Sequence, residues 1–156
     1  GIYNRGGGER KINNILENGA RGMFILLDAD KFKSINDTFG HATGDRVIIA
    51  IAEAMKKTFR DEDVIMRLGG DEFAAYISDI DTIVKGRIIL ERFIANVGRI
   101  EIPEMRGVRV QISVGAIIHA IRENVTFSEL YTCADQATYE SKRRKGSCIT
   151  FYNEIL

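Results

Sequence analysis

The stretch that decides the fold reads Met23-Phe24-Ile25-Leu26-Leu27-Asp28-Ala29-Asp30. Its first five residues form an uninterrupted apolar run of strand length, which is typical of a strand buried on both faces. Carboxylates follow at once, so we expect the strand to stop at Asp28. A strand buried on both faces needs elements packed above and below it, and this stretch therefore predicts a sheet covered by helices.

Helical and strand patterns alternate around this strand. Apolar spacing and capping signals predict helices over residues 9–18, 31–39, 43–59, 81–97 and 126–142. The third is expected to be capped by Thr43, and the last by Thr126 in a capping box with Glu129. Strand patterns cover residues 63–68, 72–78, 109–119 and 149–152. The predicted order is α, β, α, α, β, β, α, β, α, β, which favours a mixed α/β domain with one sheet.

The overall composition argues against several classes of protein. The chain has 156 residues with 22 basic and 22 acidic side chains, and its formal net charge of zero argues against broad binding to nucleic acid. Two cysteines, Cys133 and Cys148, are too few for a disulfide framework and indicate a reducing compartment. No apolar run reaches membrane-spanning length. We therefore expect a cytoplasmic domain, while a larger parent protein could still carry a membrane anchor.

A second acidic cluster lies in the turn between two predicted strands and reads Gly69-Gly70-Asp71-Glu72-Phe73. The two glycines permit a tight hairpin turn whose backbone can approach a ligand closely. If this turn lies beside the end of the first strand, Asp28 and Asp71 converge. Hard oxygen ligands of this kind suit Mg²⁺ or Mn²⁺ shared with phosphates. The residues alone also allow a plainer interpretation, in which these carboxylates are solvated turn residues.

Several blocks of the sequence, in this order, resemble the GGDEF family. Residues 69–73 are the complete family signature, and residues 27–45 are similar to the other main block of the family nearly letter for letter. Residues 1–5, 112–115 and 134–139 resemble its remaining blocks. The resemblance implies a nucleotidyl-cyclase or polymerase-palm fold, with a mostly antiparallel central sheet flanked by helices and the signature on a β-hairpin. We expect residues 1–156 to form one such domain, excised from a larger signalling protein.

The resemblance implies a diguanylate cyclase. In that reaction two domains face each other, each holds one GTP, and the 3′-hydroxyl of each GTP attacks the α-phosphate of the other to give cyclic di-GMP and pyrophosphate. The expected partners are therefore GTP, cyclic di-GMP as product and inhibitor, a second copy of the domain in the active state, and an upstream sensory domain in the parent protein. The expected cofactor is Mg²⁺ or Mn²⁺, two ions for each GTP.

Three acidic positions match the catalytic machinery of the family. Asp28 and Asp71, with the backbone carbonyl of Ala29, match its metal ligands, and Asp71 and Glu72 match its catalytic acids. Glu72 is linked either to metal binding or to deprotonation of the 3′-hydroxyl, and a nearby acid can serve either role. A solvated hairpin carboxylate is the alternative interpretation of Glu72.

A further set of residues matches the positions that contact GTP: Phe32, Lys33, Asn36, His41, Asp45, Gly69, Gly70 and Lys142. Asn36 and Asp45 match the readers of the guanine edge, because a carboxylate accepts from the guanine N–H groups and an amide both donates and accepts. Lys33 and Lys142 match phosphate contacts. The helix dipole also favours an acid at Asp45 and a base at Lys142 without any ligand, and His41 has a purely structural alternative.

Two further segments bear on affinity and regulation. Gly146 stands where the family has an arginine that contacts phosphate, so we expect weaker GTP binding unless Arg143, Arg144 or Lys145 compensates. Arg60 and Asp63 fit the Arg-x-x-Asp pattern that the family places just before the hairpin, where it binds the product and inhibits.

Two alternatives to an active cyclase remain. A catalytically silent module that binds cyclic di-GMP or GTP is supported only by the altered segment around Gly146. A general metal-dependent nucleotidyl transferase is disfavoured by the guanine-reading pair and by the short chain.

Overall fold

The computed structural model describes residues 2–119 and 124–155. Its helices are α1 (Arg5–Glu17), α2 (Phe32–Phe39), α3 (His41–Thr58), α4 (Ile83–Gly98) and α5 (Phe127–Lys142). Its strands are β1 (Gly22–Ala29), β2 (Val64–Gly69), β3 (Glu72–Ser78), β4 (Ile112–His119) and β5 (Cys148–Phe151). The order of helices and strands agrees with the sequence prediction.

The strands form one sheet in the order β2-β3-β1-β4-β5. The pairs β1–β3, β1–β4 and β2–β3 are antiparallel, and only β4–β5 is parallel. β1 occupies the centre, and all eight of its residues are buried. The prediction of a mostly antiparallel sheet with β1 at its centre and helices around it is confirmed.

Alternate residues of β1 pack into two different cores. Met23, Ile25 and Leu27 pack with apolar residues of α2, α3 and α4, whereas Phe24 and Leu26 pack with α1 and α5. Because side chains alternate along a strand, Asp28 falls on the same face as Phe24 and Leu26. The first carboxylate of the candidate site therefore points toward the side of the sheet that α5 covers.

Two predicted helix starts are wrong. α1 begins at Arg5 rather than residue 9, because the Asn4 side chain accepts a hydrogen bond of 2.8 Å from the Gly7 N–H and caps the helix ahead of three glycines. α3 begins at His41, so Thr43 does not cap it and is buried inside its first turn. Gly40, with φ of 92°, ends α2 and directly precedes α3, which leaves no loop for a later cap.

Smaller differences occur at other element ends. β4 begins three residues later than predicted, and α4 begins at Ile83 with Thr82 as its cap, because Asp81 instead pairs with Lys85 at 2.8 Å. Thr126 caps α5 by accepting from the Glu129 N–H, but the return bond of a capping box is absent among the described residues. No helix in the described part of the chain is long and apolar enough to cross a membrane.

Candidate active site

A cleft of about 1040 Å³ opens where β1 ends. Its walls come from the end of β1, the start of α2, the turn between β2 and β3, and the segment that follows α5. The lining residues are Asp28, Ala29, Asp30, Lys31, Phe32, Lys33, Asn36, Asp71, Gln111, Lys142, Arg143, Arg144, Lys145 and Gly146. The cleft is large enough for a small organic ligand, and most of its charged groups come from two segments of the chain.

The strand register brings the predicted acids together. In the β1–β3 pair, Asp28 lies directly opposite Glu72, and residues in that relation have their Cβ atoms about 5 Å apart. Asp71 lies in the adjoining turn, lines the same cleft, and is near enough for its charge to raise the pKa of Asp28. The hairpin turn thus lies beside the end of β1, which is the condition that the sequence analysis set for Asp28 and Asp71 to converge.

Asp28 is the electrostatic centre of this cluster. Its residue is 8% exposed, and this burial raises the pKa of Asp28 from 3.8 to about 6, against the opposing effect of Lys142. Lys142 donates from Nζ to Oδ2 of Asp28 at 2.6 Å. Burial lowers the pKa of Lys142, but its hydrogen bond and charge interaction with Asp28 outweigh that effect and raise it.

The acidic cluster fits a divalent cation. Oδ1 of Asp28 is buried and has no hydrogen-bond partner within residues 2–119 and 124–155, and a buried carboxylate oxygen without a partner is costly unless something binds it. No group of three His, Cys, Asp or Glu side chains surrounds a metal position in those ranges. Two carboxylates and a backbone carbonyl, from Asp28, Asp71 and Ala29, suit Mg²⁺, which usually fills its remaining positions with water and substrate phosphate.

Asp30 is held in the cleft wall by two hydrogen bonds. The Ser113 hydroxyl donates to Oδ1 of Asp30 at 2.6 Å, and the backbone N–H of Asp30 donates to the Gln111 carbonyl at 2.8 Å. The charge of Asp30 also raises the pKa of Asp28. These two bonds therefore fix Asp30 in the cleft wall near Asp28, rather than leaving it as a solvated loop residue.

The lining of the cleft carries an overall excess of positive charge. Six basic residues and three acidic residues line it, a difference of three positive charges. Arg143 pairs with Glu140 at 3.4 Å, and Arg144 donates to the Ile149 carbonyl at 2.8 Å, so both are engaged elsewhere. Lys145 makes no ion pair with any described residue. The excess of positive charge suits a polyphosphate. Of Arg143, Arg144 and Lys145, which were expected to compensate for Gly146, Lys145 is the most available.

Gly146 itself adopts a left-handed backbone conformation with φ of 80°. An arginine there would be strained, because a side chain disfavours that region by about 1–2 kcal/mol. The backbone of this chain is therefore adapted to glycine where the family resemblance leads one to expect arginine.

Two predicted guanine contacts come from the junction of α2 and α3. Asn36 lines the cleft and packs against Gly44 so closely that a Cβ atom on Gly44 would lie 1.8 Å from Oδ1 of Asn36. This oxygen is buried and has no partner in the described part of the chain. Asp45 and His41 are exposed in the first turn of α3 and lie outside the cleft lining. The structure thus brings Asn36 to the cleft, whereas Asp45 and His41 lie outside its lining.

The glycines of the hairpin shape its tip without lining the cleft. Gly69 and Gly70 have φ of 148° and 51°, and Arg67 donates to the Gly70 carbonyl at 2.6 Å and 3.0 Å. Both glycines line a neighbouring pocket with residues 2–6. Glu72 also lies outside the cleft lining, and its Oε1 accepts a hydrogen bond of 3.0 Å from the Tyr131 hydroxyl.

Arg60 and Asp63 lie close together in the loop before β2. Arg60 donates to Asp63 from its backbone N–H at 2.8 Å and from its guanidinium at 3.1 Å, and also to the Ser78 carbonyl at 2.8 Å. The Asp63 side chain is only 1% exposed, whereas that of Arg60 is 49% exposed. The arginine therefore presents part of its guanidinium to solvent, while the aspartate is occupied in holding the loop.

Three residues of the site were not anticipated from the sequence. Lys31 and Gln111 line the cleft, and Tyr131 binds Glu72. Lys31 lies inside the block of residues 27–45 and could have been included on that ground. Gln111 and Tyr131 reach the site only through the packing of β4 and α5, for which the local sequence gives no signal.

Comparison with known proteins identifies the family of the chain. The family profile described as "Diguanylate cyclase, GGDEF domain" matches residues 1–148. Among curated proteins, the chain is 34% identical to the uncharacterized protein YtrP of Bacillus subtilis, over 99% of this chain and 26% of that protein. It is also 34% identical to the probable diguanylate cyclase DgcJ of Escherichia coli, over 89% of this chain and 27% of that protein. The chain thus spans about a quarter of the length of these relatives.

Solved structures show the same fold. The GGDEF domain of YfiN (TpbB) from Pseudomonas aeruginosa superposes with a TM-score of 0.86 at 28% identity, covering 96% of each chain. The GGDEF domain of DgcB from Caulobacter crescentus, solved in complex with c-di-GMP, superposes with a TM-score of 0.83 at 26% identity, covering 97% of this chain and 92% of that one.

Proposed function

Because this chain belongs to the diguanylate cyclase GGDEF domain family, we propose that it condenses two molecules of GTP into cyclic di-GMP and two pyrophosphates. One observation carries the proposal. Asp28 and Asp71 converge in a cleft whose lining as a whole has an excess of basic residues. Such a cleft can hold a nucleoside triphosphate and a divalent cation at the same time.

The phosphates of GTP would contact the basic residues that line the cleft. Lys33, Lys142 and Lys145 offer ammonium groups there, and the first N–H groups of α2, which begins at Phe32, have no partner within the helix and favour anions. Lys142 has a second role in this proposal. Its Nζ now lies against Asp28, and turning it toward phosphate would free that carboxylate for the cation.

The guanine base would contact the junction of α2 and α3. Asn36 lines the cleft, and Asp45 and His41 lie outside its lining at the start of α3, where Gly44 packs against Asn36. A carboxylate at Asp45 accepts from the N1–H and N2–H₂ donors of guanine, whereas adenine has no donor at N1. The Gly69 and Gly70 backbone would complete the binding surface at the hairpin tip.

Asp28, Asp71 and the carbonyl of Ala29 would hold Mg²⁺ or Mn²⁺, two ions for each GTP, which supply neutralisation of the charge that develops on the phosphate oxygens. Glu72 would accept the proton of the attacking 3′-hydroxyl. Its position opposite Asp28 keeps it within reach of the same phosphate. Because Tyr131 binds Oε1 of Glu72, the second oxygen of the carboxylate is available for that proton.

The reaction would need two copies of the domain. Each cleft presents one set of phosphate contacts and one set of base contacts, so one domain would hold one GTP. Reciprocal attack then requires the two clefts to face each other across a two-fold axis. In a parent protein an upstream sensory domain would control that pairing, and the domain would work in the cytoplasm.

Cyclic di-GMP would act back on the domain through Arg60 and Asp63. The exposed part of the Arg60 guanidinium can form paired hydrogen bonds with a phosphate or with the Hoogsteen edge of guanine. Asp63 would act mainly by holding Arg60 in place, because its own carboxylate is buried and bonded to that arginine.

The test is incubation of concentrated protein with GTP and Mg²⁺ or Mn²⁺, followed by chromatography of the nucleotides. The matched control is the double variant Asp71→Ala, Glu72→Ala, tested beside the wild type after both show the same circular dichroism. Cyclic di-GMP from the wild type and none from the variant is the expected result. No product from the wild type, even when it is fused to a dimerising segment, would refute the proposal.

The specific observation that favours a silent receptor is Gly146, whose left-handed backbone disfavours the arginine expected at that position. In that case the protein would bind GTP or cyclic di-GMP without turnover. Calorimetry with each nucleotide would then detect binding in a protein that shows no activity in the chromatographic assay.

A further inference from the structure

We propose that Tyr131 is a positioning residue for Glu72, and that Arg5 acts on Glu72 through Tyr131. The inference rests on the proposed function, because it concerns the acid that would accept the proton of the 3′-hydroxyl. It adds two residues, Arg5 from the start of α1 and Tyr131 from the first half of α5, that lie outside the cleft lining.

The first contact is the hydrogen bond between Tyr131 and Glu72. The hydroxyl of Tyr131 donates to Oε1 of Glu72 at 3.0 Å, across 59 positions of sequence. Burial, followed by the charge of Glu72, raises the pKa of Tyr131 to about 12, so the phenol keeps its proton at neutral pH and remains a donor. Because Glu72 lies opposite Asp28 in the sheet, this bond sets the direction of the carboxylate next to the candidate metal ligands.

The second contact fixes the tyrosine ring. The guanidinium carbon of Arg5 lies 5.5 Å from the centroid of the Tyr131 ring, within the range of a cation–π interaction. On the inner side, the ring packs against Phe127 with centroids 6.2 Å apart. The ring is therefore held from two directions, and its hydroxyl has little freedom to leave Glu72.

Arg5 is itself tied to the hairpin that carries the acids. It is the first residue of α1, and Asn4 caps that helix. Just before it, Tyr3 forms an isolated parallel bridge to β2, with its N–H donating to the Ile65 carbonyl at 2.9 Å and its carbonyl accepting from the Arg67 N–H at 3.0 Å. A displacement of the segment around Tyr3 would therefore move Arg5 relative to the Tyr131 ring and loosen the hold on Glu72.

This arrangement predicts a particular kinetic signature. Tyr131 lines neither the cleft nor the neighbouring pocket of Gly69 and Gly70, so it should not contribute to the binding of GTP. Arg5 lines that neighbouring pocket, so the effect of its substitution is judged by kcat. Without the hydroxyl, the Glu72 carboxylate would sample several rotamers, and small misplacements of a catalytic group cost roughly tenfold to a hundredfold in rate. The loss should therefore appear in kcat, with KM for GTP unchanged.

The experiment measures Tyr131→Phe and Arg5→Gln, each beside a matched control. Tyr152→Phe is the control for the tyrosine, and Arg10→Gln, on the same helix as Arg5, is the control for the arginine. The phenylalanine keeps the ring contacts with Arg5 and Phe127 and removes only the hydroxyl. We expect kcat to fall roughly tenfold or more in Tyr131→Phe, with KM and melting temperature as in the control. Arg5→Gln should lower kcat in the wild-type background and have no further effect in the Tyr131→Phe background, because two residues that act through one contact are not additive.

Three results would overturn the inference: a kcat for Tyr131→Phe equal to that of Tyr152→Phe, a loss in KM instead of kcat, or additive effects of the two substitutions. Each of these leaves wild-type turnover intact, so the cyclase proposal would survive it. Absence of cyclic di-GMP from the wild-type protein would instead overturn the proposed function, and this inference with it.

Discussion

Asp28 carries a cost in stability that can be measured directly. Its carboxylate is buried beside two other acids, and burial first of all raises the pKa of Asp28 from 3.8 to about 6. One pKa unit is worth about 1.36 kcal/mol, so ionisation of Asp28 lowers the free energy of unfolding by about 3 kcal/mol. The shift already includes the attraction of Lys142. We therefore expect Asp28→Asn to raise the stability of the protein without ligand by up to about 3 kcal/mol at pH 8.

The gain should depend on pH in a defined direction. Because the folded-state pKa of Asp28 is raised, wild-type and variant proteins should be equally stable below pH 3.8, where the acid is neutral in both the folded and unfolded states. The advantage of Asp28→Asn should grow as the pH rises toward about 6 and then level off. Urea unfolding at a series of pH values, in buffer with a metal chelator, measures this difference. The amide can still accept from Lys142, so the fold should be retained.

Two results would refute this reasoning. A variant less stable than the wild type at pH 8 would mean that the Asp28–Lys142 ion pair outweighs the burial of the carboxylate. A stability difference independent of pH would mean that the effect does not come from ionisation. In the presence of GTP and Mg²⁺ the order should reverse, because ligand that binds the native wild type stabilises it and the variant has lost a metal ligand.

Three further predictions follow from other parts of the molecule. Gly44→Ala should raise KM for GTP roughly tenfold, because the new Cβ atom would lie 1.8 Å from Oδ1 of Asn36 and displace that side chain. The matched control is Gly98→Ala, whose Cβ atom would meet nothing within 4 Å. Equal KM values for the two variants would contradict the role of Asn36. Arg60→Ala should abolish inhibition by cyclic di-GMP and also lower the free energy of unfolding by about 2 kcal/mol, because it removes the guanidinium from the buried Asp63 carboxylate, which keeps the bond from the backbone N–H of residue 60. Urea unfolding and inhibition curves measure the two effects, and a variant as stable as the wild type would show that Asp63 does not depend on the Arg60 guanidinium. The rate of product formation per molecule of protein should rise with protein concentration, because two domains must meet; a rate strictly proportional to protein concentration from dilute to concentrated solution would argue against that requirement.

The parts of the fold that the sequence predicts well are those with strong local signals. The apolar run of residues 23–27 identifies the central strand because such a short, uninterrupted run is typical of a strand buried on both faces, and all of β1 is buried. The paired glycines of residues 69 and 70 identify the hairpin because the turn needs positive φ at both positions. These two signals identified the elements that carry Asp28 and Asp71, whereas the strand register of the structure brings the two acids together.

The starts of helices were harder to predict where local signals conflicted. Three glycines after Arg5 disfavour a helix by propensity, but the Asn4 cap and the packing of α1 on the sheet outweigh them. At the start of α3, the threonine that resembled a cap is buried in the first turn, because Gly40 turns the chain directly from one helix into the next.

Contacts between distant segments could not be predicted at all. The bond from Tyr131 to Glu72 and the stacking of Arg5 on Tyr131 depend on how α1 and α5 pack beside the hairpin. Even within the short Arg-x-x-Asp pattern, the sequence did not predict that the Asp63 carboxylate is bonded to Arg60. Local patterns specify an element and its exposed face, but side-chain partners are set by tertiary packing.

The proposed condensation of two GTP molecules is tested most directly by its stoichiometry, measured in a concentrated sample of the protein with GTP and Mg²⁺. Pyrophosphate and cyclic di-GMP would be measured together over time, the first by an enzyme-coupled assay and the second by chromatography with mass detection. The proposed reaction predicts that two pyrophosphates accumulate for every cyclic di-GMP, and that neither product forms in the Asp71→Ala, Glu72→Ala variant. Consumption of GTP without cyclic di-GMP, or with release of inorganic phosphate alone, would contradict it.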